Sequence, residues 1–190
     1  MRRIVAMANR MFVAVLPPES VVEELDALLR PRRTHDPRLR WTKPEGWHLT
    51  MAFMADVPDV ERLEETLDEA TTTVSPFRIR VASGLSFPHP VQARLLALGV
   101  TEGERELAAL STKCRGAANR AGAAPDGARF VGHLTLARAN RGIQATKWLG
   151  VLDSFPGWDV PVNEVALVQS HQVGRSYEVV ERFELRGTKP

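Results

Sequence analysis

The sequence predicts an α+β fold with duplicated antiparallel sheets and flanking helices, a two-fold plan in which each half supplies one strand to a shared central groove. Three observations predict it. Amphipathic helices alternate with short strands along the whole chain. The coarse order is strand, helix, strand, helix, two strands, helix, strand, helix, two strands, so the pattern recurs. Two near-identical segments, Trp47–Phe53 (WHLTMAF) and Gly132–Arg138 (GHLTLAR), hold matching places in that repeat. The offset from His48 to His133, 85 residues, is far too long for a solenoid and suits a two-fold duplication.

Each element has a local reason. Arg10–Leu16 (RMFVAVL) reads as a strand that Pro17 and Pro18 end. From Glu19 to Arg30, Val21, Val22, Leu25, Leu28 and Leu29 recur at helical spacing, with Pro18 placed for the first turn. A basic, proline-punctuated loop follows, then a strand over His48–Met54. Asp59–Thr71 is a second amphipathic helix, with Val60, Leu63, Leu67 and Ala70 on one side. Phe77–Leu85 alternates, and Ala93–Val100 follows a proline-rich turn as its partner. Glu104–Ala121 is an alanine-rich helix that stops near Gly122, and Phe130–Arg138 is the next strand. A short helix over Gln144–Leu152 precedes strands at Glu164–Ser170 and Tyr177–Leu185, joined by a turn containing Gly174.

Composition bounds the classes. The chain has 190 residues, 44% hydrophobic and 25% charged, as in a folded, non-disordered protein. We expect one domain over residues 1–190, with residues 1–9 as an extension. Its single cysteine, Cys114, forms no internal disulfide and no multi-cysteine zinc site. The opening MRRIVAMANRMFVAV is too short and too broken by Asn9 and Arg10 for a secretory leader. No window reaches the roughly 18 apolar residues of a membrane span. A cytoplasmic monomer with no membrane and no protein partner is the expectation.

The net charge is only +2, yet Arg30, Arg32, Arg33, Arg38, Arg40 and Lys43 cluster against the single acid Asp36. Such a run is either a solvated loop or an electrostatic funnel for a polyanion.

The chemistry lies in the duplicated segments. Residues two apart on a strand share a face, so His48 and Thr50 project together, away from Leu49, Met51 and Phe53. His133 and Thr135 do the same, away from Leu134 and Leu136. Strict alternation places Ala52 and Ala137 on the polar side and Phe53 in the core. It also sets Arg138 with the leucines. Two histidines can serve as acid and base on opposite sides of one bond. Threonine hydroxyls donate well to phosphate oxygens but are poor nucleophiles without an adjacent base. The combination points to phosphoryl chemistry without a metal. No phosphate-binding glycine loop, dinucleotide fingerprint or HExxH helix is present, and Glu45 is the one further metal-ligand candidate near either motif.

The doubled H-x-T-Φ signature resembles the two-histidine phosphoesterase superfamily, and within it the LigT-like RNA 2′,3′-cyclic phosphodiesterases, once named 2′-5′ RNA ligases. Arg10–Ala14 is similar to that family's R-x-F-Φ-A opening strand, and Trp41–Val57 to its tryptophan-to-H-L-T segment. Ala93–Val100, Phe130–Arg138 and Val165–Leu185 resemble its later segments, in order. Gly132 departs from the proline common before the second histidine. The resemblance implies metal-independent, cofactor-free hydrolysis of a 2′,3′-cyclic phosphate, on an RNA 3′ end or a nucleotide, to a 2′-phosphomonoester. It implies His48 as acid and His133 as base, with Thr50, Thr135 and Arg138 holding the phosphate. Arg38, Arg40 and Lys43 are candidate RNA contacts, and Trp47, Phe53, Phe130 and Tyr177 candidate stacking residues. The alternatives are a sister activity of the same machinery, namely opening ADP-ribose 1″,2″-cyclic phosphate or cleaving or ligating 2′-5′ linkages, and a nucleotide- or RNA-binding module without turnover. A metallophosphoesterase is a third.

Overall fold

The computed structural model describes residues 9–171 and 176–188. The turn at Gly174 and nearly all of the N-terminal extension lie outside them. The strands are β1 (Met11–Val15), β2 (Leu39–Trp41), β3 (Leu49–Met54), β4 (Phe77–Phe87), β5 (Ala93–Glu102), β6 (His133–Ile143), β7 (Trp158–Val162), β8 (Glu164–His171) and β9 (Ser176–Glu184). They form one curled antiparallel sheet in the order β7-β4-β5-β6-β3-β1-β8-β9, with β2 alongside β6. The helices are α1 (Glu19–Leu29), α2 (Val60–Thr71), α3 (Glu104–Arg120) and α4 (Thr146–Asp153). Among the described residues no helix is long and apolar enough to cross a membrane.

The α+β class and the two-fold plan are those read from the sequence, with two added strands. β2 lies inside the basic loop, where three residues are too few to show a period. β7 (WDVPV) contains Pro161, which no central strand tolerates; β7 is at the sheet edge, pairing only with β4. The strand foreseen from Phe130 begins at His133 instead. The core lies between the sheet and the helices. Met11, Val13, Val15, Leu49 and Met51 face Leu63, Leu67, Leu107 and Leu110 of α2 and α3. The other face of β1 carries Phe12 and Ala14 beside Ala166 and Val168.

The repeat closes on itself in an exchanged way. The strand after α2, β4, pairs with the first strand of the second repeat, β5. The strand β8, which follows α4 and β7, returns to pair with β1. The two half-sheets then meet at a single pair, Leu49 with Leu134. These are equivalent residues of the two HLT segments, so a pseudo-dyad passes between them. The flanking register sets His48 beside Thr135 and Thr50 beside His133.

Both motif strands carry the same irregularity. Between β1 and β3, Val13 pairs with Ala52 and Ala14 with Thr50, so Met51 is an extra residue. Between β5 and β6, Leu96 pairs with Ala137 and Ala97 with Thr135, so Leu136 is extra. Met51 and Leu136 are equivalent positions. Each bulge advances the alternation by one residue. Ala52 and Ala137 therefore turn into the core, where both are buried, contrary to the alternating pattern. Phe53 and Arg138 turn to the side of the threonines. The bulged carbonyls are satisfied from elsewhere in the chain. Ser111 of α3 donates its hydroxyl to the Met51 oxygen at 2.6 Å, and the Thr42 amide donates to the Leu136 oxygen at 2.8 Å.

Gly132 fits the space that α3 leaves. A Cβ there would lie 2.9 Å from Leu107 Cδ2 and 3.2 Å from Val100 Cγ2. A side chain at this position would therefore require Leu107 to shift.

Ser111→Ala removes a buried donor from the Met51 carbonyl. We expect a loss of about 1–3 kcal/mol in unfolding free energy, measured by urea denaturation with an unchanged m-value. Wild-type stability in the variant would show that the bulge does not need the serine.

Candidate active site

The four residues of the two H-x-T motifs line one cavity of about 210 Å³. Thr50 and Thr135 project into it from β3 and β6, and His48 and His133 stand at the starts of those strands. The imidazoles are held in the same way. His48 Nδ1 lies 2.7 Å from the Gly46 carbonyl oxygen, and His133 Nδ1 lies 2.7 Å from that of Val131. A carbonyl oxygen only accepts, so both Nδ1 atoms carry the proton and donate. Each Nε2 is left for the cavity. Two rings of one tautomer and one mounting meet there, related by the pseudo-dyad.

Their surroundings differ. His48 stacks on Phe12, with ring centroids 4.5 Å apart, and meets the edge of Tyr177 at 5.5 Å. Burial holds its imidazole below the ordinary value of 6.5; the Gly46 hydrogen bond opposes this, and the positive charges of His133 and Arg138 reinforce it. His133 lies beside Phe87 at 5.2 Å, and the hydrogen bond that mounts it is open to solvent.

Arg138 lines the cavity. The Leu136 bulge, invisible to strict alternation, puts it there. Its equivalent across the pseudo-dyad is Phe53, which also lines the cavity and carries the Arg10 guanidinium 4.6 Å from its ring centroid. Arg10, Thr42 and Ser170 are lining residues that sequence reasoning missed. Arg10 stood in the opening-strand motif, but the position equivalent to Arg138 holds Phe53, so the repeat gave no signal for a second arginine. Among the described residues the lining holds two arginines, two histidines and no carboxylate. Such a cavity attracts an anion.

Other candidates sort out differently. Trp47 is 3% exposed and belongs to the core, not to base stacking. Phe130 packs partly buried against the core. Tyr177 is 40% exposed at the cavity rim. In the basic loop, Arg38 is engaged by Asp36 through Nε at 2.9 Å and Nη2 at 2.7 Å. Lys43 is exposed beside Thr42, and Arg40 is exposed on β2. His171 pairs with Glu178 at 3.0 Å, away from the cavity lining. Cys114 is buried, and burial pushes its thiol up to about 12, so it is no nucleophile. Among the described residues no three His, Cys, Asp or Glu side chains cluster as a metal site would require.

A curled antiparallel sheet with two H-x-T strands at its centre defines the class, and comparison with known proteins agrees. The crystal structure of TT0787 of Thermus thermophilus is similar with a TM-score of 0.70 and 25% identity, over 95% of this chain and all of that one. Apo LigT of E. coli has the same TM-score and 24% identity, over 94% of this chain and 98% of that one, and supports the fold. The model of the 2′-5′ RNA ligase superfamily matches residues 17–174. The chain belongs to that superfamily. Two relatives, each named RNA 2′,3′-cyclic phosphodiesterase, are 30% identical in Aquifex aeolicus and 31% identical in Archaeoglobus fulgidus. The matches cover 78% and 70% of this chain and 82% and 73% of theirs.

The lowered His48 value has a sign that can be checked. The unfolded chain takes up this proton more readily than the folded one, so acidification from about 6.5 downward erodes stability through this group. In an NMR titration His48 should become protonated below the ordinary histidine value. His133→Ala should move its midpoint upward by removing a like charge. An unmoved midpoint would mean that the two rings do not feel each other.

Proposed function

We propose that this protein hydrolyses the 2′,3′-cyclic phosphate of an RNA end or nucleotide to a 2′-phosphomonoester, with His48 and His133 as the acid–base pair. One observation carries the reading: two imidazoles with matching tautomers present Nε2 to one cationic cavity that also holds two threonine hydroxyls and Arg138. The relatives' name, RNA 2′,3′-cyclic phosphodiesterase, supports the same substrate class.

The steps follow from the placement. The cyclic phosphate sits between the rings, its non-bridging oxygens taking hydrogen bonds from Thr50, Thr135 and Arg138. Arg10, held over Phe53, adds positive charge from the other side. His133 accepts a proton from water as that water's oxygen bonds to phosphorus. The bond from phosphorus to the 3′ oxygen breaks, and His48 gives that oxygen its proton. The product keeps its phosphate on the 2′ oxygen and has a free 3′ hydroxyl. Solvent returns the two rings to their starting states.

The electrostatics support these separate roles. Burial makes a protonated His48 a stronger acid than an ordinary imidazolium, which suits a donor to an alkoxide leaving group. Its burial favours the neutral form in the empty site, and the bound phosphate's negative charge restores the proton. The solvent-facing mounting of His133 gives that ring access to water. No step calls on a metal: the charge that develops on phosphorus is met by guanidinium, imidazolium and hydroxyl groups.

Purified protein in excess EDTA should convert a 2′,3′-cyclic nucleotide to the 2′-phosphate alone, read by phosphorus NMR. Formation of the 3′-phosphate, or dependence on added metal, would overturn the mechanism. A preference for ADP-ribose 1″,2″-cyclic phosphate or a 2′-5′ linkage in the same assay would move the substrate but keep the machinery. Binding without turnover would leave only a binding module.

His48→Ala and His133→Ala should each lower kcat by about 10²–10⁴-fold with unchanged circular dichroism. A phosphodiester with a nitrophenolate leaving group separates the roles, because that group departs without a proton. It should restore activity to His48→Ala and not to His133→Ala. The reverse pattern would exchange acid and base.

A further inference from the structure

We propose that Arg40 forms a second phosphate subsite beside the catalytic cavity, holding the phosphodiester one nucleotide upstream of the terminal phosphate. The substrate class is then a single-stranded RNA 3′ end in preference to a free nucleotide. The proposal rests on the reading of the cavity as a cyclic phosphodiesterase site.

The geometry begins with the register of β2 on β6. Leu39 pairs with Ala139, Arg40 with Arg138, and Trp41 with Ala137. Directly paired residues on antiparallel strands share a face, with Cβ atoms about 4.5–5.5 Å apart. Leu39, Ala137 and Ala139 are buried in one cluster with Trp148. Arg40 and Arg138 therefore project together to the opposite side. That is the side of the cavity, since Arg138 lines it. Arg40 is exposed and is not itself among the lining residues, so it stands one strand outward.

The charge pattern shows that the pair awaits an anion. Like charges directly opposite on a sheet repel. Three other arginines of the same loop are paired, Arg30 and Arg33 with the shared Asp26 and Arg38 with Asp36, while Arg32 bonds the Leu28 carbonyl and Lys43 is exposed. Asp36 is the only acid between Arg30 and Lys43, and it is taken. Among the described residues neither Arg40 nor Arg138 has a carboxylate partner. Two adjacent guanidiniums left unpaired at the mouth of an anion-binding cavity match two successive phosphates.

Substrate chemistry supplies the direction. A 2′,3′-cyclic phosphate closes the 3′ end of a chain, so the polymer continues only from the 5′ oxygen of the terminal nucleotide. One exit from the cavity is needed. The β2–β6 edge, where β6 has left β3 and taken β2 as its neighbour, provides a cation there.

The test compares kcat/KM for a 2′,3′-cyclic mononucleotide and for a short oligoribonucleotide ending in the same group, across a salt series. The wild type should favour the oligomer. Arg40→Gln should lower the ratio of oligomer to mononucleotide about tenfold, as loss of one charge-assisted phosphate contact implies, and reduce the oligomer's salt slope by about 0.7. Arg40→Lys should restore the slope. Equal loss on both substrates would put Arg40 on the terminal phosphate and overturn the subsite, as would no loss on either. Anisotropy with a fluorescent oligoribonucleotide ending in a 2′-phosphate reads the subsite without turnover. Should the wild type hydrolyse neither substrate, the catalytic reading falls. Arg40-dependent binding of that probe would then sustain the subsite, and Arg40-independent binding would overturn it.

Discussion

One backbone contact governs the site: Leu49 against Leu134, the sole pair joining the two half-sheets through β3 and β6. Equivalent residues of a duplicated segment, paired antiparallel, generate a local two-fold axis with no further instruction. Their apolar side chains face the core and are almost wholly inaccessible, so a slip by one residue would turn both leucines to the groove and both histidines inward. The same hydrophobic burial that closes the sheet therefore fixes the relation of the two histidines and two threonines. Each histidine is set beside the threonine of the other motif. The cavity is a consequence of the seam.

The two bulges extend that control beyond the first turn of each strand. Without them Arg138 would face the core with Leu134 and Leu136, and Phe53 would do so with Met51. A bulge leaves a carbonyl out of the ladder, and here the donors come from the α3 hydroxyl of Ser111 and from the Thr42 amide. Thr42 thereby ties the segment leading to His48 onto the strand that carries Arg138. The loop that holds Gly46, whose carbonyl orients His48, is anchored by the geometry that presents Arg138 to the cavity.

Much of this was legible in the sequence, because its signals were local and repeated. Helical spacing located α1 and α2, and an alanine-rich run located α3. The H-x-T pair identified the face that lines the cavity, since alternation over three residues needs no knowledge of neighbours. Alternation failed at Met51 and Leu136, and with it the placing of Ala52, Phe53, Ala137 and Arg138. A bulge is defined by what two strands do together, and neither strand's residues announce it. β2 and β7 escaped for related reasons: three residues show no period, and Pro161 reads as a breaker unless the strand is known to lie at an edge. Arg38 and Arg40 look alike in sequence. Only the fold shows that Asp36 holds one of them and that β6 sets the other beside Arg138.

Displacement at phosphorus needs a base on the side of the entering oxygen and an acid on the side of the departing one. A pseudo-dyad supplies two like groups on opposite sides, which is half of that requirement. The other half is that the two groups differ, and strict symmetry would prevent it. The structure breaks symmetry around an unchanged backbone frame. Phe12 and Tyr177 enclose His48, whereas the mounting of His133 meets solvent. Arg138 on one side has Phe53 as its counterpart, with Arg10 reaching over that ring from β1's approach. Positive charge is thus present in both halves but delivered differently, and burial against the apolar wall loosens the proton of His48 relative to an ordinary imidazolium. Duplication places the two imidazoles, and divergence of their neighbours gives them the different surroundings that the proposed acid and base roles require.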